Sequence, residues 1–258
     1  MHLRLHRLAL LLLLVLVPAG SARPQTAAAP PPRGHVVAFG LSDELNVFHT
    51  EATAAAAILT RYYGGGSPPL VYTNRPRAGR ATVGNLRAAL TQAAARMDRD
   101  KDVLFVFLTS HGSPRGVVVS TGRKQSFLTP TELGWLLRDT GVRNKVLIVS
   151  ACYSGIFIPL ADPTTLVITA ADETHPSFGC EKTAVWTYFG RALFTQGIPK
   201  TNNLRDAFVL ARAAVLKRET REGYQPSNPQ MAGGQEFVAR LHATRTAQCN
   251  DRSTSCGR

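Results

Sequence analysis

Two stretches decide the fold: Val103-Leu-Phe-Val-Phe-Leu-Thr-Ser110, which runs straight into His111-Gly112, and Val146-Leu-Ile-Val-Ser-Ala151, which runs straight into Cys152. Both are short, apolar and without polar alternation, the pattern of strands covered on both faces. Working outward, runs of the same kind stand at His35–Gly40, Leu70–Thr73 and Thr165–Ala170, and the second of the two stretches extends over Lys145–Ser150. Helical patterns lie between them, at Asn46–Tyr63, Val83–Asp98, Pro130–Arg138, Glu181–Thr195 and Leu204–Arg221. Thr129-Pro130-Thr131-Glu132 is a capping box with proline at the first helical position, and Asn203 can cap the last helix. Val117–Ser120 and Gln125–Leu128 flank Thr121-Gly122 as a small hairpin. Strand and helix alternate, so the expected fold is α/β, a mainly parallel central sheet flanked by helices on both faces.

In an open parallel sheet the site lies outside the carboxyl ends of the strands. Two of the most apolar strands end there in reactive residues, His111 and Cys152. If those strands are neighbours they lie about 4.8 Å apart, and the imidazole and thiol emerge side by side. A free thiol is mostly protonated near neutral pH, and an adjacent imidazole can take its proton, the arrangement nucleophilic catalysis needs. Backbone N–H groups at Gly112 and Cys152 could hold a developing oxyanion, where one donor contributes about 3 kcal/mol. The alternative is that His111 ends a strand and Cys152 is a small buried hydrophobe.

With those residues in view, Val106-Phe-Leu-Thr-Ser-His-Gly-Ser113 and Val149-Ser-Ala-Cys-Tyr-Ser-Gly155 resemble the His-Gly and Ala-Cys blocks of the legumain-like cysteine peptidases (peptidase family C13), relatives of caspases and of the catalytic subunit of the GPI transamidase. The resemblance runs from about His35 to Gly234 and takes in Thr169-Ala-Ala-Asp-Glu-Thr-His-Pro-Ser-Phe-Gly-Cys180 and Ser227-Asn-Pro-Gln-Met231. It implies a caspase-like fold and a cysteine endopeptidase, with Cys152 as nucleophile, His111 as general base and acid, and Gly112 with Cys152 as oxyanion hole. Asn46 matches the asparagine legumains place behind the catalytic histidine; a helix N-cap is its other reading. His49, Ser150 and Ser177 fall at substrate-pocket positions.

The chain departs from the family pattern at that pocket. Phe48-His49 stands where legumains have Arg-His, Ser110 where they commonly have Asp, Ser150 where they have Glu, and Pro176 at one of two pocket serines. Losing the arginine removes the cation that helps bind an Asn or Asp side chain, so a specificity altered from legumain is expected. The same acyl-enzyme could serve a transpeptidase or ligase, and a non-catalytic binding protein on this scaffold is a further alternative. The mechanism implied needs no cofactor and no metal, and the expected partner is a peptide or protein substrate.

The periphery is read from composition. Arg4 and Arg7 precede an apolar run, Leu8–Val17, that ends in small residues, so residues 1–22 read as a signal peptide for a secreted or periplasmic protein, with an uncleaved tether as alternative. The run is about half the roughly 20 residues a membrane-spanning helix needs. Residues 23–33 form a Pro/Ala-rich linker, 34–240 the peptidase-like domain and 241–258 a polar tail, without the long C-terminal extension of eukaryotic legumains. Cys249 and Cys256 could close a small disulfide loop or remain two exposed thiols, and Cys180 reads as a buried hydrophobe near the pocket wall. The 258 residues carry a formal charge of +13, but the 30 Lys and Arg are scattered, so no nucleic-acid partner is expected, whereas an acidic cell envelope or matrix suits that charge. With 44% hydrophobic residues the chain can bury one sizeable core, which excludes collagen, coiled coil and disorder.

Overall fold

The computed structural model describes residues 32–241 except 65–66, 75–79, 123 and 202. The expected signal peptide, most of the linker and the tail with Cys249 and Cys256 lie outside the described residues. Six strands form one sheet in the order β2-β1-β3-β7-β8-β9: β1 (Gly34–Gly40), β2 (Leu70–Thr73), β3 (Val103–Thr109), β7 (Asn144–Ser150), β8 (Thr165–Thr169) and β9 (Gln230–Gly233). All pair in parallel except β9, which runs antiparallel to β8. A three-stranded sheet of β4 (Gly112–Ser113), β5 (Gly116–Thr121) and β6 (Lys124–Leu128) extends the chain beyond β3 and contains the expected hairpin.

Alternate strand residues feed opposite cores, as the two-residue strand period requires. On one face Ala38, Phe105, Phe107, Ile148 and Ile168 pack with α1 (Asn46–Tyr63) and α5 (Leu204–Glu222). On the other, Phe39, Leu104, Val106, Leu147 and Val149 pack with α2 (Val83–Ala94) and α3 (Pro130–Asp139). Strands sealed on both sides can afford no polar alternation, which is why the apolar runs were continuous.

Three elements differ from the expectation. The α2 helix ends at Ala94 rather than Asp98, because the Asp98 carboxylate accepts from the Asp100 and Lys101 N–H groups and closes a turn. The helix expected over Glu181–Thr195 begins seven residues later, as α4 (Tyr188–Gly190), and widens into a π-helical segment, Arg191–Gly197. Thr187 caps it by accepting from Gly190 N–H, and Thr187 is itself anchored elsewhere in the fold, so tertiary contact sets the start. Strand β9 was not anticipated: Gln230-Met-Ala-Gly233 is short, polar at its start and only half-buried.

Candidate active site

The register of β3 against β7 builds the centre of the site. Thr109 pairs with Ser150, and Ser110 N–H donates to the Ser150 carbonyl at 3.2 Å, so the chain leaves both strands at one level. His111-Gly112 and Cys152 therefore emerge together. A Cβ on Gly112 would overlap the Cys152 carbonyl oxygen, a close approach that only glycine permits. Tyr153, directly after the thiol, holds a left-handed φ of 55° and donates its N–H to the His175 carbonyl at 2.9 Å. That sharp turn ends the β7 direction at Cys152.

The thiol faces the segment after β8. Cys152 Sγ lies 3.3 Å from both the N–H and the carbonyl of Ser177, with the Ser177 hydroxyl at 3.9 Å. Ser177 thus lines the site through its backbone and its side chain. The segment is braced by Asp172, whose carboxylate accepts from Thr174 N–H, His175 N–H and Asn228 Nδ2 and lies 2.8 Å from His175 Nδ1. Burial works to raise the Asp172 pKa, but these hydrogen bonds outweigh it and hold the carboxyl far below its ordinary value. Cys180, expected as a buried hydrophobe, is half-buried; burial and then the neighbouring Cys152 push its thiol up.

His111 has a carboxylate partner that the sequence reading missed. Its Nε2 lies 3.2 Å from Glu44 Oε2, and its ring meets the edge of Phe48 at 4.9 Å between centroids. Asn46 opens α1 two residues later. Leu45, not Asn46, is the N-cap, and among the described residues the Asn46 side chain has no hydrogen bond, while its carbonyl accepts from Thr50 Oγ1. Neither reading of Asn46 therefore has a side-chain contact behind it. His49 Nδ1 lies 2.8 Å from Thr73 Oγ1, which ties α1 to the end of β2, one strand removed from β3. Ser150 is 1% exposed and its hydroxyl lies 3.0 Å from that of Thr187, so it faces the layer beneath the site and not the cleft.

That layer centres on Glu51, which is fully buried. One carboxyl oxygen accepts from the N–H and the hydroxyl of Thr187, at 3.2 and 2.6 Å, and the other from the Thr109 hydroxyl. Desolvation raises the Glu51 pKa despite those hydrogen bonds. A Cβ on Gly190 would overlap the same carboxyl, so α4 closes over it as tightly as glycine allows. One side chain from α1 thus joins β3, α4 and, through Thr187, β7, and both Thr109 and Ser150 lie two residues before His111 and Cys152. A signal existed: Val47, Glu51 and Ala55 recur on the buried stripe of α1, where a carboxylate interrupts an apolar row. Thr187 gave none, because Glu51 and Ser150 are remote from it in sequence, and Asp172 gave only its local turn with Thr174 and His175 and no sign of Asn228.

Among the described residues no group of three or more His, Cys, Asp or Glu side chains is placed to hold a metal ion. The model of the peptidase C13 family matches residues 80–239, more than half of the chain and inclusive of both strand ends. No curated protein matches the sequence. Among solved structures, caspase-1 from Spodoptera frugiperda is similar over 82% of this chain and 93% of its own, at 14% identity and a TM-score of 0.55. The structure of pro-sf-caspase-1 is similar over 80% and 92%, at 12% identity and a TM-score of 0.53. The fold is caspase-like.

Proposed function

Because the chain belongs to the peptidase C13 family, a family of cysteine peptidases acting on peptides or proteins, we propose that it is itself a cysteine endopeptidase in which Cys152 and His111 form the catalytic dyad. The observation that carries this reading is the shared exit of His111-Gly112 and Cys152 from two paired strands. His111 takes the thiol proton; the thiolate attacks the scissile carbonyl, and His111 returns the proton to the departing amine. Water activated by the same imidazole then releases the acyl group from sulfur. The N–H groups of Gly112 and Cys152 stabilise the oxyanion in both steps. Ser177, beside the sulfur, lines the pocket for the side chain before the cut, and with Phe48 in place of a cation that pocket takes residues other than Asn.

The test is labelling of the protein with acyloxymethyl ketone probes that differ at the residue before the reactive group, read by mass spectrometry. Cys152→Ala should abolish labelling, and His111→Ala should slow it by about 10²- to 10⁴-fold. Labelling at Cys180, or equal labelling of the His111 variant, would overturn the dyad; a preference for the Asn probe would overturn the altered pocket. The basic start and apolar run of residues 1–22 support export to a secreted or periplasmic location. N-terminal sequencing of the exported protein should then begin at Arg23.

A further inference from the structure

The outward face of α5 is unlike that of an ordinary solvated helix. Val209, Ala213 and Leu216 recur at spacings of four and three on its exposed side, with Leu210 farther round on the Lys217 flank. Val209 is 61% exposed, Leu216 48% and Leu210 43%. Single exposed apolar residues are ordinary, but a row of them along one helix is not. The helix already buries Leu204, Ala207, Phe208, Ala211 and Val215 in the core, so the outer row plays no part in the fold.

Cations border the row on both sides. Arg205 and Arg212 lie along one flank and Asp206, Lys217 and Arg221 along the other, as the helical repeat places them, so each flank keeps a net positive charge. The second flank opens into a cleft of about 440 Å³ between α5 and the π-helical segment, lined by Arg191, Lys217, Arg218 and Arg221 with Tyr188. Glu222 pairs with Arg218 and Arg221 and accepts from the Tyr188 hydroxyl. Arg191 and Lys217 have no carboxylate partner among the described residues. The cleft therefore carries more positive than negative charge, on a chain whose formal charge is +13.

An apolar row rimmed by Lys and Arg is the layout of a helix that lies in a membrane interface, with its apolar residues below the headgroups and its cations on the phosphates. We propose that α5 docks this protein onto an anionic lipid bilayer, seating Val209, Leu210 and Leu216 among the acyl chains and headgroup phosphates against Arg191, Lys217 and Arg221. The occupant follows from the charge: a bare apolar row would suit a second copy, but two basic flanks repel one and attract a negative surface. Helix α5 covers a face of the sheet, whereas Cys152 stands at the carboxyl edge of the strands, so docking leaves that edge open.

The test is co-sedimentation of the full chain with vesicles of phosphatidylcholine, with and without phosphatidylglycerol. Leu12→Arg and Leu14→Arg are introduced throughout, to strip the N-terminal apolar run of its own affinity for lipid. The protein should sediment only with vesicles containing phosphatidylglycerol and be released by added salt. Lys217→Glu with Arg221→Glu, and separately Val209→Asp with Leu216→Asp, should each weaken binding about tenfold or more. All four positions are exposed, so circular dichroism should show unchanged folding. Equal sedimentation with neutral vesicles, no sedimentation at all, or binding that neither pair of changes weakens would overturn the proposal. So would a dimer in sedimentation velocity that Val209→Asp with Leu216→Asp dissolves, since the face would then belong to a second copy.

Discussion

Two levels of the same strands do opposite things. At the rim, His111, Gly112 and Cys152 are accessible enough for chemistry; two residues back along the same strands, Thr109 and Ser150 are sealed at 0% and 1% exposure. The rim carries a thiol and an imidazole, and the layer below carries a carboxyl ringed by hydroxyl and amide donors. The lower layer is closed to solvent, and it ties together the strand ends from which His111 and Cys152 leave. Reactivity and rigidity are thus separated by one side-chain alternation.

The comparison breaks most sharply at the glycine where the strand exits touch. Gly112→Ala forces a Cβ into the Cys152 carbonyl and should lower kcat/KM on a reporter peptide by about 10²- to 10³-fold, the scale of losing one oxyanion donor. The overlap is with backbone, which must shift, so the denaturation midpoint should also fall, while circular dichroism keeps its native form because both cores lie beneath the rim. A large loss of stability with normal turnover would reverse the assignment of roles to the two levels.

The opposite pattern is expected from below. Glu51→Ala leaves the Thr109 and Thr187 hydroxyls buried without their acceptor and should cost about 2–4 kcal/mol in urea denaturation. Burial raises the Glu51 pKa above its unfolded value, so the folded state holds this proton more tightly. The stability Glu51 contributes is then complete below its ordinary unfolded pKa and falls as pH rises through the folded one. Glu51→Gln should flatten that decline while leaving the acidic limb unchanged. A wild-type stability that rises with pH through the ordinary glutamate range, with that rise absent in Glu51→Gln, would show instead that the carboxyl is ionised in the fold.

The same division explains what could be read in the sequence. The rim was legible because each half is local: an apolar strand followed at once by His-Gly or by Cys, with the parallel register supplying the third dimension. All five apolar runs became strands for the same reason. The layer below left one trace, the carboxyl of Glu51 on the apolar stripe of α1; its partners were not legible, because Glu51, Thr109, Ser150 and Thr187 come from four elements and meet only after folding. The late start of α4 is a consequence, since its cap Thr187 answers to Glu51 more than to its neighbours in the chain. Strand β9 escaped notice because an antiparallel edge strand, half-exposed, needs no apolar run. The wall segment failed for a related reason: Asp172 and Asn228 stand 56 residues apart and meet across the sheet edge.

That wall offers a smaller test. Asp172→Asn removes the charge that orients His175 and gathers Thr174 and Asn228, so the Ser177 backbone loses its fixed place beside Cys152 Sγ. We expect KM for a reporter peptide to rise about tenfold with kcat changed less, because binding geometry suffers before the dyad does. An equal fall in kcat and kcat/KM would instead put His175 in the chemistry of the transition state.

The smallest effect is expected at Glu44, the carboxylate on His111 Nε2. It is 56% exposed by its side chain, so water and salt screen the pair, and exposed pairs contribute about 0–1 kcal/mol. Glu44→Gln should therefore lower kcat/KM by about fivefold at most, the upper end of that range. Raising ionic strength should erase the difference between variant and wild type, since salt screens exposed charges and leaves the buried Glu51 layer untouched. The two carboxyls near the dyad would then differ in kind: one tunes the imidazole from solvent, the other holds the strands from within. If Glu44→Gln instead cost 10³-fold at every ionic strength, the carboxylate would be orienting the imidazole in the transition state, and the catalytic unit would be a triad with its third member on the loop before α1.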